Sequence, residues 1–167
     1  DGLVVARDLE ELCRETLPDL ILHAASSRVL EAVPQIRPAL ELGISVVSSC
    51  EELVFPALKA PQLAREIDGL CRHTGARLVA TGVNPGFVMD VLPLCVSGLC
   101  LAVQRMRVER VVDAATRRRS LQEKIGCGMP FEEFAEKMRQ GGSGHAGLPE
   151  SVALLAHALG WSLDEIT

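Results

Sequence analysis

Three short polar stretches contain the residues of this chain that are best suited to chemistry. They are the paired serines Ser26 and Ser27, the run SSCEE at residues 48–52, and the glycine-rich run TGVNPG at residues 81–86. Carboxylates and hydroxyls can bind polar groups and move protons, and glycines let the backbone approach a ligand closely. Asn, Pro and Gly also dominate ordinary turns. The chemistry therefore depends on whether the fold brings the three stretches together.

Each polar stretch follows an apolar run that is typical of a buried strand. The sequence predicts strands at residues 3–6, 20–24, 44–48 and 77–81, and helices around residues 9–13, 29–40 and 63–71. Pro34 and Pro38 indicate that the second helix either begins near Pro34 or is kinked. Alternating strands and helices predict an α/β fold with a parallel sheet. Ligands bind such sheets at the carboxyl ends of the strands, so the three polar stretches are predicted to share one edge.

The sequence changes character near residue 87. Asp90 predicts the start of a helix that is apolar almost all round and therefore buried. Residues 105–113 alternate between charged and apolar side chains, which predicts a strand with one wet face. Two further helices are predicted from the stripe of Phe131, Phe134 and Met138 and from the apolar spacing that follows Glu150. The chain is thus predicted to divide into residues 1–86 and an α+β domain at residues 87–167.

Composition narrows the classes of function. The chain has 167 residues, a net charge of -5 and a pI near 5.4, which argues against a nucleic-acid partner because phosphates are bound mainly by clustered Lys and Arg. The longest apolar run, residues 88–103, is interrupted and too short to span a bilayer. The six cysteines form no Cys-x-x-Cys pair and no zinc-ligand spacing. We expect a reduced, cytoplasmic protein that binds no metal and no membrane.

Four segments carry a resemblance to a known family. They are HAASSRVLEAVPQIRPALELGISVVSSCEEL at 23–53, LVATGVNPGFVMDVLPL at 78–94, ERVVDAATRRRSLQEKIG at 109–126 and GHAGLPESVALLAHALGW at 144–161. Together they resemble the 2,4-diaminopentanoate dehydrogenases and related native amine dehydrogenases, within the wider dihydrodipicolinate reductase-like group. The resemblance implies an NAD(P)-dependent oxidoreductase, with a partial Rossmann-like parallel sheet followed by an α+β catalytic domain.

The chain departs from the family pattern in two respects. It contains no succession of strand, Gly-x-Gly-x-x-Gly turn and helix of the kind that binds a pyrophosphate, so we expect a fragment that begins after the first part of the dinucleotide fold. Such a fragment should bind NAD or NADP weakly in isolation. It also lacks the paired histidines and downstream lysine of true dihydrodipicolinate reductases. The resemblance therefore favours amine deamination over reduction of a cyclic imine.

The family chemistry assigns roles to the polar stretches. Oxidation of a primary amine by a nicotinamide passes through an iminium, and a carboxylate is needed to hold the ammonium and move protons. The resemblance implies that Glu51 or Glu52 is this catalytic carboxylate. Alternatively, both are the acidic first turn of a helix through Leu53.

The remaining assignments concern binding. The resemblance implies that the nicotinamide-ribose half of NAD or NADP contacts residues at the strand ends, namely Ser26, Ser27, Ser49, Asn84 and Pro85. His145 is predicted to contact the amine or amino-acid substrate, or to be an ordinary loop residue. We expect a homodimer.

Two other functions stay open, a noncatalytic oligomerising module and a dehydrogenase or reductase that acts on an imine or semialdehyde. A Gly-x-Gly-x-x-Gly turn upstream in the reading frame would separate an enzyme from a module.

Overall fold

The computed structural model describes residues 5–140 and 146–167, and in these ranges it combines a small sheet with seven α-helices. The strands are β1 (Leu20–His23), β2 (Ser45–Ser48) and β3 (Leu78–Ala80). The helices are α1 (Leu9–Thr16), α2 (Val29–Glu41), α3 (Pro61–Thr74), α4 (Val91–Ser97), α5 (Arg119–Lys124), α6 (Phe131–Arg139) and α7 (Leu148–Leu159). Short 3-10 helices lie at Glu51–Val54, Pro56–Leu58 and Ala114–Thr116.

The sheet is parallel and has the order β1-β2-β3. His23 is in register with Ser48, which is in register with Ala80, so the three carboxyl ends lie side by side. The predicted parallel pairing of these three strands is confirmed. Half of the further strand predicted at residues 3–6 falls outside the described residues, and its described half, Val5 and Ala6, is not in a strand.

The helices around the sheet begin and end at the residues that local chemistry favours. Asp8 caps α1 by accepting a hydrogen bond from the backbone N–H of Glu11 at 2.9 Å. Gly75 ends α3 in the left-handed conformation, with φ +79°. Both termini agree with the sequence patterns, because capping depends on neighbours three or four residues away.

Helix α2 runs through both of its prolines, so the predicted start near Pro34 is wrong. Pro34 is exposed, and prolines four residues apart lie on the same side of a helix. Each proline removes one hydrogen bond to the carbonyl four residues earlier. Pro34 has no N–H to donate to the carbonyl of Leu30. Leu30 is 70% exposed, so water can donate to this carbonyl instead. The apolar face of α2 therefore continues without interruption.

The core lies between α2, the sheet and α3. Its largest buried apolar side chains come from α2 and β2, namely Val29, Val33, Ile36, Leu40 and Val46. Leu53 and Ile67 complete it from the first 3-10 helix and from α3. The burial of β2 on its core face follows from its central place in the sheet. This core fixes the strand ends from which the polar stretches extend.

The residues after the sheet depart most from the sequence predictions. Helix α4 has no buried residue, and Leu92 and Val96 are exposed, so the prediction of a helix buried all round is wrong. Residues 105–113 form no strand, because a strand needs a hydrogen-bonded neighbour and the described residues provide none there. In the described part of residues 87–167, only helices and irregular segments occur, so an α+β domain is not found in those residues.

Helix α7 returns to the sheet edge. It packs against both 3-10 helices that follow β2, and the rings of Phe55 and His157 lie 5.5 Å apart between centroids. None of the helices in the described ranges is long and apolar enough to cross a membrane. The arrangement places the first turn of α7 over the polar end of β2.

Candidate functional site

Backbone hydrogen bonds join the polar ends of the three strands. The N–H of Ser49 donates to the carbonyl of His23 at 2.9 Å, and the N–H of Thr81 donates to the carbonyl of Ser48 at 2.9 Å. The N–H of Glu52 donates to the carbonyl of Ser27 at 3.3 Å. These bonds extend the parallel ladder past the last strand residues. The three polar stretches therefore meet at one edge of the sheet.

A polar network below this edge holds the end of β2. His23 Nδ1 lies 2.8 Å from Ser48 Oγ, and its Nε2 lies 2.9 Å from Gln35 Oε1. The backbone N–H of Cys50 donates to Ser48 Oγ at 3.1 Å. Burial raises the pKa of the Cys50 thiol, so this cysteine is a neutral core group at neutral pH. The network is a rigid support for the residues that follow it.

Glu52 is held by two partners. Its Oε2 accepts a hydrogen bond from the backbone N–H of Val29 at 2.9 Å, at the first turn of α2. Its Oε1 accepts from Lys59 Nζ at 2.7 Å. A carboxylate at a helix N-terminus satisfies an otherwise free backbone donor and interacts favourably with the helix dipole. Glu52 therefore joins the polar edge to α2.

Glu51 is the first residue of the same 3-10 helix and directly precedes Glu52. Its side chain is half-buried and, among the described residues, its carboxylate makes no hydrogen bond or ion pair. A Cβ placed on Gly147 would lie 2.8 Å from the Cβ of Glu51 and 2.5 Å from Pro85 Cγ. Real Cβ atoms do not approach this closely, so only glycine fits at the first position before α7. Glu51, Pro85 and Gly147 thus form one tightly packed wall.

Asp90 ties the glycine-rich turn to α7. It is fully buried, and its Oδ2 accepts from the backbone N–H of Gly86 at 2.8 Å and from the Ser151 hydroxyl at 2.7 Å. Its Oδ1 accepts from the N–H of Val91 at 2.7 Å, which begins α4. A buried carboxylate with three such bonds is satisfied. Asp90 therefore fixes the turn containing Pro85 against the first turn of α7.

A buried acid, Glu150, lies in that first turn. It is 0% exposed, and its Oε1 lies 3.1 Å from Lys59 Nζ, close enough for an ion pair although the atoms are not aligned as a hydrogen bond. Its Oε2 has no hydrogen-bond partner in the described part of the chain. Hydrogen bonding to Glu52 raises the pKa of the Lys59 ammonium. Lys59 is therefore a stable cation shared by two carboxylates.

The residues predicted to bind the cofactor are placed unequally. The Ser49 side chain is exposed at the end of β2, and Ser27 lies beside Glu52. Asn84 and Pro85 lie in the turn that faces Gly147. Ser26 instead donates to Glu31 at 2.7 Å and accepts from the N–H of Arg28, so its hydroxyl is engaged at the start of α2. His145, predicted to contact substrate, lies outside the described residues.

Sequence reasoning missed Lys59, Asp90, Glu150 and Ser151 as parts of this site. Asp90 and Glu150 were interpreted only as helix-start residues, which is also true of their positions in α4 and α7. Their burial arises from contacts with residues about 60 to 90 positions away in the chain, which no local pattern records. A signal is nonetheless present in the sequence, because Asp90, Glu150 and Ser151 lie in segments that carry the family resemblance, residues 78–94 and 144–161.

Metal chemistry receives no support from the described residues. Residues 5–140 and 146–167 contain no group of three or more His, Cys, Asp and Glu side chains that could hold a metal ion. Glu52, Glu150 and Asp90 are paired with Lys59 or with backbone donors.

The known proteins that this chain resembles are dehydrogenases. Residues 87–167 match the family model of the 2,4-diaminopentanoate dehydrogenase C-terminal domain. The resemblance indicated by the sequence motifs is confirmed.

Individual relatives match nearly the whole chain. It is 34% identical over 161 residues to 2,4-diaminopentanoate dehydrogenase from Acetoanaerobium sticklandii, covering 96% of this chain and 46% of the relative. It is 31% identical over 173 residues to an amine dehydrogenase from Streptomyces virginiae, covering 98% and 46%. The chain thus spans about half the length of these curated relatives.

A solved structure supports the fold. The amine dehydrogenase from Mycobacterium smegmatis superposes with a TM-score of 0.73 at 24% identity, over 99% of this chain and 49% of that one. At this level of identity the likeness concerns the fold and not the chemistry.

Proposed function

We propose that this chain belongs to an NAD(P)-dependent oxidoreductase that acts on a primary amine, either deaminating a 2,4-diaminopentanoate-like amino acid or aminating a ketone. The proposal extends to this chain the activity in the names of its relatives. The observation that carries it is the contrast between adjacent carboxylates at the sheet edge. Glu52 is engaged at both oxygens, whereas Glu51 is half-buried and makes no bond among the described residues.

This contrast separates the two candidates for the catalytic carboxylate. A general base must be able to reach the proton that it removes, and a carboxylate held by a backbone N–H and a lysine is poorly placed to do so. Glu51 has its lone pairs available and is positioned by packing against Pro85 and Gly147. We therefore assign the proton-transfer role to Glu51 and a supporting role to Glu52.

The cofactor proposal rests on the same edge. In parallel sheets of the Rossmann-like kind, ligands bind outside the carboxyl ends of the strands. Ser49 and Thr81 are exposed at this edge. Their hydroxyls are suited to hydrogen bonding with the ribose and amide groups of a nicotinamide nucleoside. The sequence has no strand that runs into a Gly-x-Gly-x-x-Gly turn and then a helix, which is the arrangement that binds a pyrophosphate. We propose that these residues contact the nicotinamide-ribose half of NAD or NADP.

The chain's own residues account for the proton steps of the reaction. A bound nicotinamide supplies hydride acceptance from the carbon that bears the amine. Glu51 takes a proton from the substrate ammonium, so that the nitrogen lone pair can form the C=N bond as the hydride leaves. Water then adds to the iminium carbon and releases a proton to solvent, and Glu51 returns its proton to the nitrogen of the resulting carbinolamine. Ammonia departs as the carbinolamine hydroxyl gives its proton to Glu51, which forms the ketone.

The test is turnover by the full-length protein. It should reduce NAD+ or NADP+ in the presence of 2,4-diaminopentanoate or a simpler primary amine, and should release ammonia in equal amount. A cyclic imine offered with the reduced cofactor should be a poorer substrate. Absence of amine-dependent turnover together with rapid imine reduction would replace this function with the imine reductase. Absence of both activities would favour the noncatalytic module.

A further inference from the structure

Lys59 joins two elements that approach the site from distant parts of the chain. Its ammonium lies 2.7 Å from Glu52 Oε1, on the 3-10 turn after β2, and 3.1 Å from Glu150 Oε1, in the first turn of α7. The Lys59 side chain is 48% exposed, but the carboxylates beneath it are 14% and 0% exposed. The lysine therefore covers the buried Glu150 and the partly buried Glu52 from the solvent side.

Glu150 depends on this lysine for its charge balance. No other cation forms an ion pair with it in the described ranges, and its Oε2 has no hydrogen-bond partner there. A buried charge that loses its partner is strongly destabilising, because desolvation is no longer offset. The position of α7 over the sheet edge is thus linked to Lys59.

The same link reaches Glu51. Gly147 directly precedes α7 and packs against the Cβ of Glu51 and the ring of Pro85. Glu52 is the chain neighbour of Glu51, and Lys59 fixes its Oε1. One lysine consequently holds both structural elements that enclose the Glu51 side chain.

We propose that Lys59 is a positioning residue for Glu51, acting through Glu52 on one side and Glu150 on the other. It does not touch substrate and does not itself transfer a proton. Its role is to keep the 3-10 turn and the first turn of α7 at a fixed separation, so that the Glu51 carboxylate has one orientation. The inference rests on the proposed function for its consequence in turnover, but its geometric part can be measured independently.

The experiment compares four variants of the full-length protein. Lys59→Met removes the cation, Lys59→Arg retains it, and Lys59→Met with Glu150→Gln removes both the cation and the buried charge. Lys137→Met is the matched control, because Lys137 makes a single surface ion pair with Glu133 at 2.9 Å, four residues away on α6. Three properties are measured for each variant. They are Tm, the kinetics of amine oxidation (kcat and KM) across pH, and the carboxyl 13C chemical shift of Glu51. Its resonance is assigned by its loss in Glu51→Gln.

A positioning role predicts a specific pattern. Lys59→Met should lower Tm, decrease kcat about 10- to 100-fold with KM within a few-fold, and move the Glu51 resonance. Lys59→Arg should restore kcat to within a few-fold of the parent. The double variant should recover Tm, since the buried charge is gone, but not kcat, since Glu52 still lacks its partner. Lys137→Met should match the parent in all three quantities.

The outcomes separate this inference from the proposed function. If kcat recovers together with Tm in the double variant, or if the Glu51 resonance and the pH profile stay unchanged in Lys59→Met, Lys59 is only a structural residue. If the parent shows no amine oxidation while the Glu51 resonance still moves in Lys59→Met alone, the geometric link stands and the proposed function fails.

Discussion

Residues 20–80 and the segment after α4 both contain many apolar residues, but their surroundings are very different. Residues 20–80 enclose a core in which Ile36 and Leu40 have at most 1% of their surface exposed. In the segment after α4, Leu99 and Leu101 are almost completely exposed. The difference lies in neighbours, since β2 has a strand on each side and a helix over it. Apolar residues therefore favour burial, but long-range packing decides whether they are buried in the folded chain.

The largest expected difference between the two regions is in the free energy of unfolding lost when an apolar side chain is shortened. Ile36→Ala should decrease the free energy of unfolding by about 2–5 kcal/mol, because it removes buried methyl groups and leaves a cavity. Leu101→Ala should change it by less than about 0.5 kcal/mol, as is usual for an exposed side chain. Urea unfolding followed by circular dichroism measures both. A cost above 2 kcal/mol at Leu101 would show that another part of the protein covers this segment, and the comparison would break.

A smaller effect is expected from two glycines that share a left-handed backbone but differ in their neighbours. Gly147 and Gly128 have φ of +90° and +79°, yet only at Gly147 would a Cβ meet other atoms, at 2.5 Å from Pro85. Replacement by Ala should cost about 1–2 kcal/mol of backbone strain at either position. Gly147→Ala should cost roughly 1–3 kcal/mol more, because of overpacking. Equal losses of stability would mean that α7 does not pack tightly against Pro85.

The smallest expected effect is the dependence of stability on high pH through Lys59. Its pKa is raised above the ordinary 10.5, chiefly by the hydrogen bond to Glu52. A raised pKa in the folded state means that the stabilisation is complete below about pH 10.5 and is lost as pH rises through the folded-state pKa. The groups facing the ammonium are Glu52 and Glu150. The stability difference between parent and Lys59→Met should thus be constant from pH 7 to 9 and shrink above pH 10.5. If the stability difference between parent and Lys59→Met instead grows above pH 10.5, the protonated Lys59 does not stabilise the fold and the prediction is wrong.

Local pattern predicted the strands and most of the helices around the sheet. Residues 20–24, 44–48 and 77–81 follow an apolar pattern, and Asp8 and Gly75 mark helix ends by chemistry that acts over one turn. The meeting of the polar stretches at one edge followed from the parallel topology, because the carboxyl ends of such strands must coincide. The strands and helix ends depend on residues close in sequence, and the shared polar edge depends on general rules for connecting parallel strands.

The parts that could not be predicted depend on distant contacts. Residues 105–113 have the alternation of a strand, but a strand forms only with a neighbour. Glu150 has the sequence context of an ordinary first-turn acid, and only the return of α7 to Lys59 makes it a buried charge. The different engagement of Glu51 and Glu52 likewise depends on Val29 and Lys59, which belong to other elements. The sequence therefore predicts the shared polar edge, and the structure distinguishes its two adjacent carboxylates.

The most direct test of the proposed function compares Glu51→Gln with Glu52→Gln in the full-length protein. Glu51→Gln should decrease amine oxidation by about 10²–10⁴-fold, the usual cost of losing a positioned general base, with unchanged Tm and unchanged cofactor affinity by fluorescence titration. Glu52→Gln should lower Tm, since it weakens the links to Val29 and Lys59, and should retain more activity than Glu51→Gln. If Glu51→Gln keeps turnover within a few-fold of the parent, or if Glu52→Gln alone abolishes it at unchanged Tm, the assignment of the catalytic carboxylate to Glu51 is wrong.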